Sequence, residues 1–437
     1  MPLKPEIFLL RDEKGPILYA PLRQLSARMN EAAVGAVARR LRGGAPAEGD
    51  ADLLADLDTH GFFEPCDPPV FDPKPPTHLT LFPTDGCNLR CRYCYAGAEK
   101  PRHVMPPEVG KAAVDTVIRN ALDRGVQEIE VSFHGNGEPF TAFPTVKLLS
   151  EYALDRAEEN GLTCWITATS NGVMSDEALD WVIAFVTDIT ISFDVLEALQ
   201  NRQRPMAGGL PSWEAADRTL RRLDAAGKSY SIRTTLTRDS VTQLVPLAQA
   251  AAERYPHCAL LHIEPCWESG RSLTTGEHIP DPEVFAREFL RAEELLADKV
   301  SLVYSACRDS NDMTFCSAPS GGFTVTSEGL VSACYEVCED SNPCAGRFVY
   351  GRWDGTRFVY DEEKLAALRT LTVDRMPYCK DCFCKYSCSG DCPAKLLGTA
   401  GPSEHHGSDR CTVTRTLTLA HIARNLDMKT EETEHAE

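Results

Sequence analysis

The spacing of hydrophobic and polar positions divides the chain into three stretches. In the first 65 residues, FLLRDEKGPILYAP reads as two short strands turning at Lys14-Gly15. NEAAVGAVARRLRGG then carries Ala33, Val37 and Leu41 at helical spacing and ends on a glycine pair. DADLLADLDTHGFF is a second helix, with Leu53, Leu54 and Leu57 on one side and Gly61 past its end. Strands followed by small helices predict a small α+β, winged-helix-like module over 1–65. The segment PCDPPVFDPKPPTH holds six prolines in fourteen residues. No regular element survives that density, so 66–77 is a linker.

From His78 the pattern becomes an alternation of strands and helices. The strands are HLTLFP, EIEVSFHG, CWITATSNG, DITISFD, YSIRTTLT and ALLHIEP. Helical stretches such as PPEVGKAAVDTVIRNALDRG and SWEAADRTLRRLDAAG lie between them. That order predicts an α/β fold with a parallel sheet, and six units predict an open, TIM-like (β/α)6 barrel over 78–280. Ligands of such barrels gather at the C-terminal strand ends. There the strands run into Thr84-Asp85-Gly86-Cys87, Gly135-Asn136-Gly137-Glu138, Ser170-Asn171-Gly172, Asp194 and Glu264-Pro265. A bridging helix beginning at DPEVFAREFLRAEELLAD fills 281–306, helical spacing returns at CTVTRTLTLAHIARNLDM, and 429–437 reads as a frayed acidic tail.

Composition narrows the function classes. The 45 basic and 64 acidic residues leave a net charge of −19. Such a chain repels a phosphate backbone, so nucleic acid is not the expected partner. No apolar run approaches the roughly 20 residues that span a bilayer, and Asp12 and Glu13 interrupt the N-terminus too early for a secretory signal. A cytoplasmic chain with no membrane partner is expected. In a reducing compartment, 18 cysteines point to metal rather than to disulfides. Three lie in Cys87–Cys94 and eleven between Cys307 and Cys411. The scattered Cys66, Cys164, Cys258 and Cys266 read as buried small hydrophobes.

CNLRCRYCY sets Cys87, Cys91 and Cys94 at Cys-x3-Cys-x2-Cys directly after the first barrel strand. Three thiolates on a [4Fe-4S] cube leave one iron without a protein ligand, open to a chelating substrate. A zinc site is the alternative, but zinc favours four ligands. The spacing, with Tyr93 before the third cysteine, resembles the radical S-adenosylmethionine (radical SAM) signature. His134-Gly135-Asn136-Gly137-Glu138-Pro139 is similar to that family's Gly-Gly-Glu-Pro loop, with Asn136 departing from the glycine pair. The resemblance implies that this loop holds the methionyl amine of SAM, and that Ser170, Asn171, Ser192 and Asp194 face its ribose and carboxylate. It also implies a 5′-deoxyadenosyl radical that abstracts hydrogen from an unactivated carbon, and a reducing partner such as flavodoxin or ferredoxin.

The later cysteines extend the resemblance. Cys316, Gly329, Cys334, then Cys379-x2-Cys382-x5-Cys388-x3-Cys392 and a distant Cys411 are similar to the SPASM extension of radical SAM peptide maturases. Zinc knuckles are the alternative for such spacing alone. The resemblance implies a SPASM domain over 307–428 with two auxiliary [4Fe-4S] clusters, three clusters in all. Auxiliary cluster I would take Cys316, Cys334 and Cys392, with either Cys307 as its fourth ligand or an open iron that can bind substrate. Auxiliary cluster II would take Cys379, Cys382, Cys388 and Cys411. Cys338, Cys344 and Cys384 are surplus thiols.

The best-known SPASM enzymes act on peptides or proteins, and residues 1–65 resemble the module that binds a leader peptide as an added strand. The expected function is therefore a maturase of a ribosomally made precursor peptide, installing a thioether or carbon–carbon crosslink. A sulfatase-maturase-like oxidation to formylglycine is the first alternative, although Tyr335 and Glu336 follow Cys334 where that group has an aspartate. A non-catalytic iron–sulfur redox sensor or electron-transfer partner is the second.

Overall fold

The computed structural model describes residues 6–97, 103–297 and 299–434. Near the N-terminus, β1 (Phe8–Asp12), β2 (Gly15–Ala20) and β3 (Leu25–Arg28) form an antiparallel sheet in that order. The third strand was not legible as one: LSAR has no alternation. Asn30 then caps α1 (Glu31–Leu41) by accepting from the Ala33 amide at 2.8 Å, and α2 (Asp50–Thr59) follows.

Strand alternation gives this small sheet two apolar faces. Leu18 and Ala20 pack on Val37, Leu57 and Phe62 of its own helices. Ile17 packs on Ile422 and Leu426 of the C-terminal helix, Asp409–Glu434, with Phe383 beside them. Arg28 pairs with both Asp12 (2.5 Å) and Asp427 (3.2 Å), and Lys14 with Asp427 (2.8 Å). The expected acidic tail is largely part of that helix, which runs to Glu434; residues 435–437 lie outside the described residues.

The strands of the barrel are β4 (His78–Leu81), β5 (Glu128–Phe133), β6 (Thr163–Ser170), β7 (Asp188–Ser192), β8 (Tyr230–Leu236) and β9 (Cys258–Pro265). All five neighbouring pairs are parallel. The intervening helices are α3 (Pro107–Arg124), α4 (Phe143–Glu159), α5 (Asp176–Phe185), α6 (Glu197–Gln203), α7 (Trp213–Ala225) and α8 (Leu244–Arg254). After β9 come a single turn, α9 (Ser272–Thr275), and then α10 (Pro282–Leu296), which Asp281 caps. This is the partial barrel expected, and its core runs through Val114, Val117, Val131, Ile166, Ile189 and Ile232.

The sheet does not stop at six strands. β10 (Ser301–Val303) adds in parallel beside β9. On the other edge β11 (Phe323–Val325) pairs in parallel with β4, followed by antiparallel β12 (Leu330–Ser332), β13 (Val349–Trp353) and β14 (Phe358–Tyr360). With β10 on one edge and four strands of the cysteine-rich segment on the other, the barrel's own sheet reaches eleven strands. Among the described residues no helix is long and apolar enough to cross a membrane.

Candidate active site

Beyond β4 the chain enters the loop carrying Cys87, Cys91 and Cys94. Asp85 fastens its two ends, meeting the His103 ring at 2.6 Å. The three thiols are electrostatic neighbours. Burial pushes Cys87 up to about 11, with Glu138 and Cys94 adding. Burial likewise pushes Cys91 up to about 12, Arg204 opposing and Cys94 and Cys87 adding. Thiols held this way stay protonated until metal displaces the proton, which suits a thiolate cluster site. The Asn171 amide also lies 3.8 Å from the Cys87 sulfur.

Residues that spacing did not reveal hold the loop in place. The Tyr93 hydroxyl donates to both oxygens of Asp194, at 3.1 and 3.0 Å. Gln203 donates to the same carboxylate at 2.8 Å, and Arg204 pairs with it at 3.3 Å while lying 5.1 Å over the Tyr93 ring. Asp194 therefore directs its carboxylate to the cluster loop. From the segment after β9, the Arg271 amide donates to the Cys94 carbonyl and its guanidinium to the Cys91 carbonyl, both at 2.9 Å. Gly270, at φ +55°, lies so close to the Tyr95 and Cys94 carbonyls that a Cβ there would collide with both.

The loop after β5 packs against this one. Gly137 lies under the Gly86 and Thr84 carbonyls, leaving no room for a Cβ. Glu138 is buried and accepts from the Asn171 amide (2.7 Å), the Ser170 hydroxyl (2.8 Å) and the Phe140 amide (3.3 Å). Burial still raises its carboxyl to about 7. Glu138 thus ties the β5 and β6 loops together. Asn136 donates to Glu339 at 3.2 Å, while its buried Oδ1 has no partner. Gly135 accepts from the Tyr95 hydroxyl at 3.4 Å, and Ser192 ends β7 in register with Arg233. A close-approach backbone and an orphaned buried acceptor beside three thiols suit the methionyl end of SAM.

The later cysteines fall into two groups. Burial holds the Cys334 thiol well above its usual range, with Cys392 and then Cys316 adding. Cys392 is pushed up to about 12, again by burial first, with Cys316 among its neighbours. Cys379, Cys382, Cys388 and Cys411 line one cavity with Cys384, Tyr378, His405 and Arg415. Between Cys388 and Cys392, Ser389, Gly390 and Asp391 take φ of +53°, +80° and +58°. That left-handed run turns the chain from one group to the other, and Asp391 accepts from the Cys392 amide at 2.7 Å. Among the described residues no three His, Cys, Asp or Glu side chains are gathered at a single-ion position. A cubane spreads its thiolates over several irons.

Cys307 has its contacts elsewhere. Its sulfur lies 3.4 Å from Thr418 Oγ1 and 3.5 Å from His421 Nδ1 on the C-terminal helix, and His421 meets Glu293 at 2.9 Å. Of the surplus thiols, Cys338 and Cys384 are buried and Cys344 is half-buried. Cys258 and Cys266 are buried as expected and the half-buried Cys164 packs against the barrel core, whereas Cys66 is half-buried away from it.

A family model for the Radical SAM superfamily matches residues 81–243. A GTP 3′,8-cyclase of Actinobacillus pleuropneumoniae serotype 7 (strain AP76) is 30% identical over 124 residues, 28% of this chain and 34% of that enzyme. A GTP 3′,8-cyclase of Moorella thermoacetica is 26% identical over 214 residues, covering 48% and 62%. The chain therefore spans about a third of the first of these relatives (34%) and under two thirds of the other. Native anSMEcpe with bound AdoMet superposes with a TM-score of 0.61 at 18% identity, covering 80% of this chain and 99% of that one. Streptococcus suis SuiB bound to S-adenosylmethionine gives 0.55 at 14%, covering 92% and 98%. At these identities the two structures establish the fold. The parallel barrel, the three-thiol loop at the end of its first strand and the matched stretch agree: the chain carries a radical SAM domain at residues 81–243.

Proposed function

We propose that this chain is a radical SAM/SPASM maturase that acts on a ribosomally made precursor peptide and installs a crosslink. The observation that carries the reading is the division of seven later cysteines into two groups, in a segment whose first strands continue the barrel sheet. Cys87, Cys91 and Cys94 would hold the SAM-binding [4Fe-4S] cluster. Cys316, Cys334 and Cys392 would hold auxiliary cluster I, and Cys379, Cys382, Cys388 and Cys411 auxiliary cluster II. Cys307, engaged by Thr418 and His421, stays outside the set. SAM bound at its cluster supplies, in this family, a 5′-deoxyadenosyl radical that takes hydrogen from an unactivated carbon. The chain's own part is to hold Tyr93 and the cluster loop through Asp194, to close the β5 and β6 loops through Glu138, and to orient the peptide.

The neighbours support a peptide substrate by analogy: anSMEcpe has been solved with a Cp18Cys peptide, and SuiB with its precursor peptide SuiA. The N-terminal sheet supports leader binding, because both faces are covered and only its edges remain for an added strand. A nucleotide cyclase is the second reading, favoured by the names of the sequence relatives.

One experiment separates the two. The reconstituted, reduced chain is given SAM and either GTP or a candidate precursor, a short peptide from any reading frame that adjoins its gene. Formation of 5′-deoxyadenosine should be coupled to loss of two hydrogens from the peptide, read by mass spectrometry. Coupled consumption of GTP with an unchanged peptide would contradict the proposal. Deleting 1–65 is a poor probe of leader binding, since it would bare Ile422, Leu426 and Phe383.

A further inference from the structure

One charge inside the barrel is unanswered. Along β8, Tyr230, Ile232 and Leu236 turn outward and are fully buried, which directs Ser231, Arg233 and Thr235 to the interior. Arg233 is in register with Ser192 on β7 and His262 on β9. It acts electrostatically on His134, beyond the end of β5, and on Tyr95, next to Cys94. Strands β6 and β7 separate β8 from β5 in the sheet, so this influence crosses the barrel's interior.

The surrounding charges are matched. Glu264 meets His262 (3.0 Å), Arg410 (3.3 Å) and the Ser305 amide (3.0 Å), and Glu336 meets Lys395 at 3.3 Å. Asp194 is held by Arg204. Among the described residues Arg233, half-buried, has no ion pair and no side-chain hydrogen-bond partner. That stands out in a chain with 64 acidic and 45 basic residues. A sheltered guanidinium without a partner is costly, and its planar fork of donors matches a carboxylate.

A second group faces the same space. His134 Nδ1 is buried without a partner, and the ring stacks on Tyr335 at 5.1 Å and 25°. Burial, with Arg233 adding, brings the imidazole down to about 4, so at neutral pH it is uncharged and has one N–H to donate. Both groups lie where the barrel meets the auxiliary loop: Tyr95 neighbours Cys338 and Glu336, and His134 touches the residue after Cys334.

We infer that Arg233 and His134 form a carboxylate subsite in the barrel chamber, and that it receives an acidic side chain of the substrate peptide. The inference rests on the peptide reading above. It predicts that the precursor carries a glutamate or aspartate close to the residue that is modified.

The test uses the full, reconstituted, SAM-loaded chain and two capped amino acids, N-acetylglutamate amide and N-acetylglutamine amide, with binding read by calorimetry. The glutamate probe should bind at least ten-fold more tightly than the glutamine probe. Arg233→Gln should abolish that preference, and Arg233→Lys should keep part of it, because a point charge replaces the fork. SAM affinity should change less than two-fold in both variants. Should Arg233→Gln fail to fold, wild type against Arg233→Lys carries the comparison. Equal binding of both probes by wild type would overturn the subsite. So would a ten-fold loss of SAM affinity in Arg233→Gln with the probe preference intact, since the guanidinium would then serve SAM's own carboxylate. Failure of the peptide reading is distinguishable: it shows in the peptide mass assay, while this binding preference persists.

Discussion

Replacing Cys87, Cys91 and Cys94 together with alanine is expected to abolish formation of 5′-deoxyadenosine and to remove about four irons per chain, one cube's worth. The loop should stay in place without its thiols. Tyr93 remains tied to Asp194, and the Cys91 and Cys94 carbonyls remain tied to Arg271. The seven later cysteines lie on other elements and keep their partners, so the auxiliary spectrum should survive. Anaerobic reduction with SAM, followed by chromatography of the nucleoside products, checks the first expectation. A triple variant that still forms 5′-deoxyadenosine would show that the catalytic loop lies elsewhere.

Arg410→Met should give the largest loss of stability. Arg410 is almost fully buried and bridges Asp391 at 3.0 Å and Glu264 at 3.3 Å, with its guanidinium 5.2 Å over Tyr304. Removing it strands the buried Asp391 carboxylate and leaves Glu264 only His262 and the Ser305 amide, a change that costs about 3–5 kcal/mol. The position has a second consequence. Arg410 precedes Cys411 and Asp391 precedes Cys392, so this one ion pair links a thiol of each auxiliary group. The variant should melt several degrees lower and retain less iron after desalting. Adding Glu264→Gln and Asp391→Asn removes the stranded charges and should recover most of the stability. A single variant with unchanged melting and full iron would mean that the pair is incidental.

The barrel was legible in the sequence because its strands and helices differ in period. HLTLFP, EIEVSFHG and DITISFD alternate, and the intervening segments do not. The continuation of the sheet was not legible: FTV, LVS and FVY are too short to display a period, and each is a strand through its neighbours, FTV on β4, LVS between β11 and β13, and FVY on β13. Cysteine spacing marked the candidate ligands, since it survives any fold. The residues that steady them were hidden for the opposite reason. Gln203, Arg204, Arg271 and Arg410 are polar letters that a pattern assigns to the surface, yet Gln203, Arg204 and Arg410 are buried. Their partners, Asp194, the Cys91 carbonyl and Asp391, lie 9 to 180 residues away along the chain. Cys307 shows what spacing alone does not convey. Nearness in sequence to Cys316 suggested a shared cluster, while the fold brings its sulfur to Thr418 and His421.

The central claim, one SAM-binding cluster and two auxiliary clusters on a single chain, is tested most directly by counting iron and sulfide after anaerobic reconstitution. The account predicts about twelve irons per chain, four for each cube. It also predicts about eight when Cys379, Cys382, Cys388 and Cys411 are replaced together. Four irons in the wild-type chain, with no change in that quadruple variant, would contradict it.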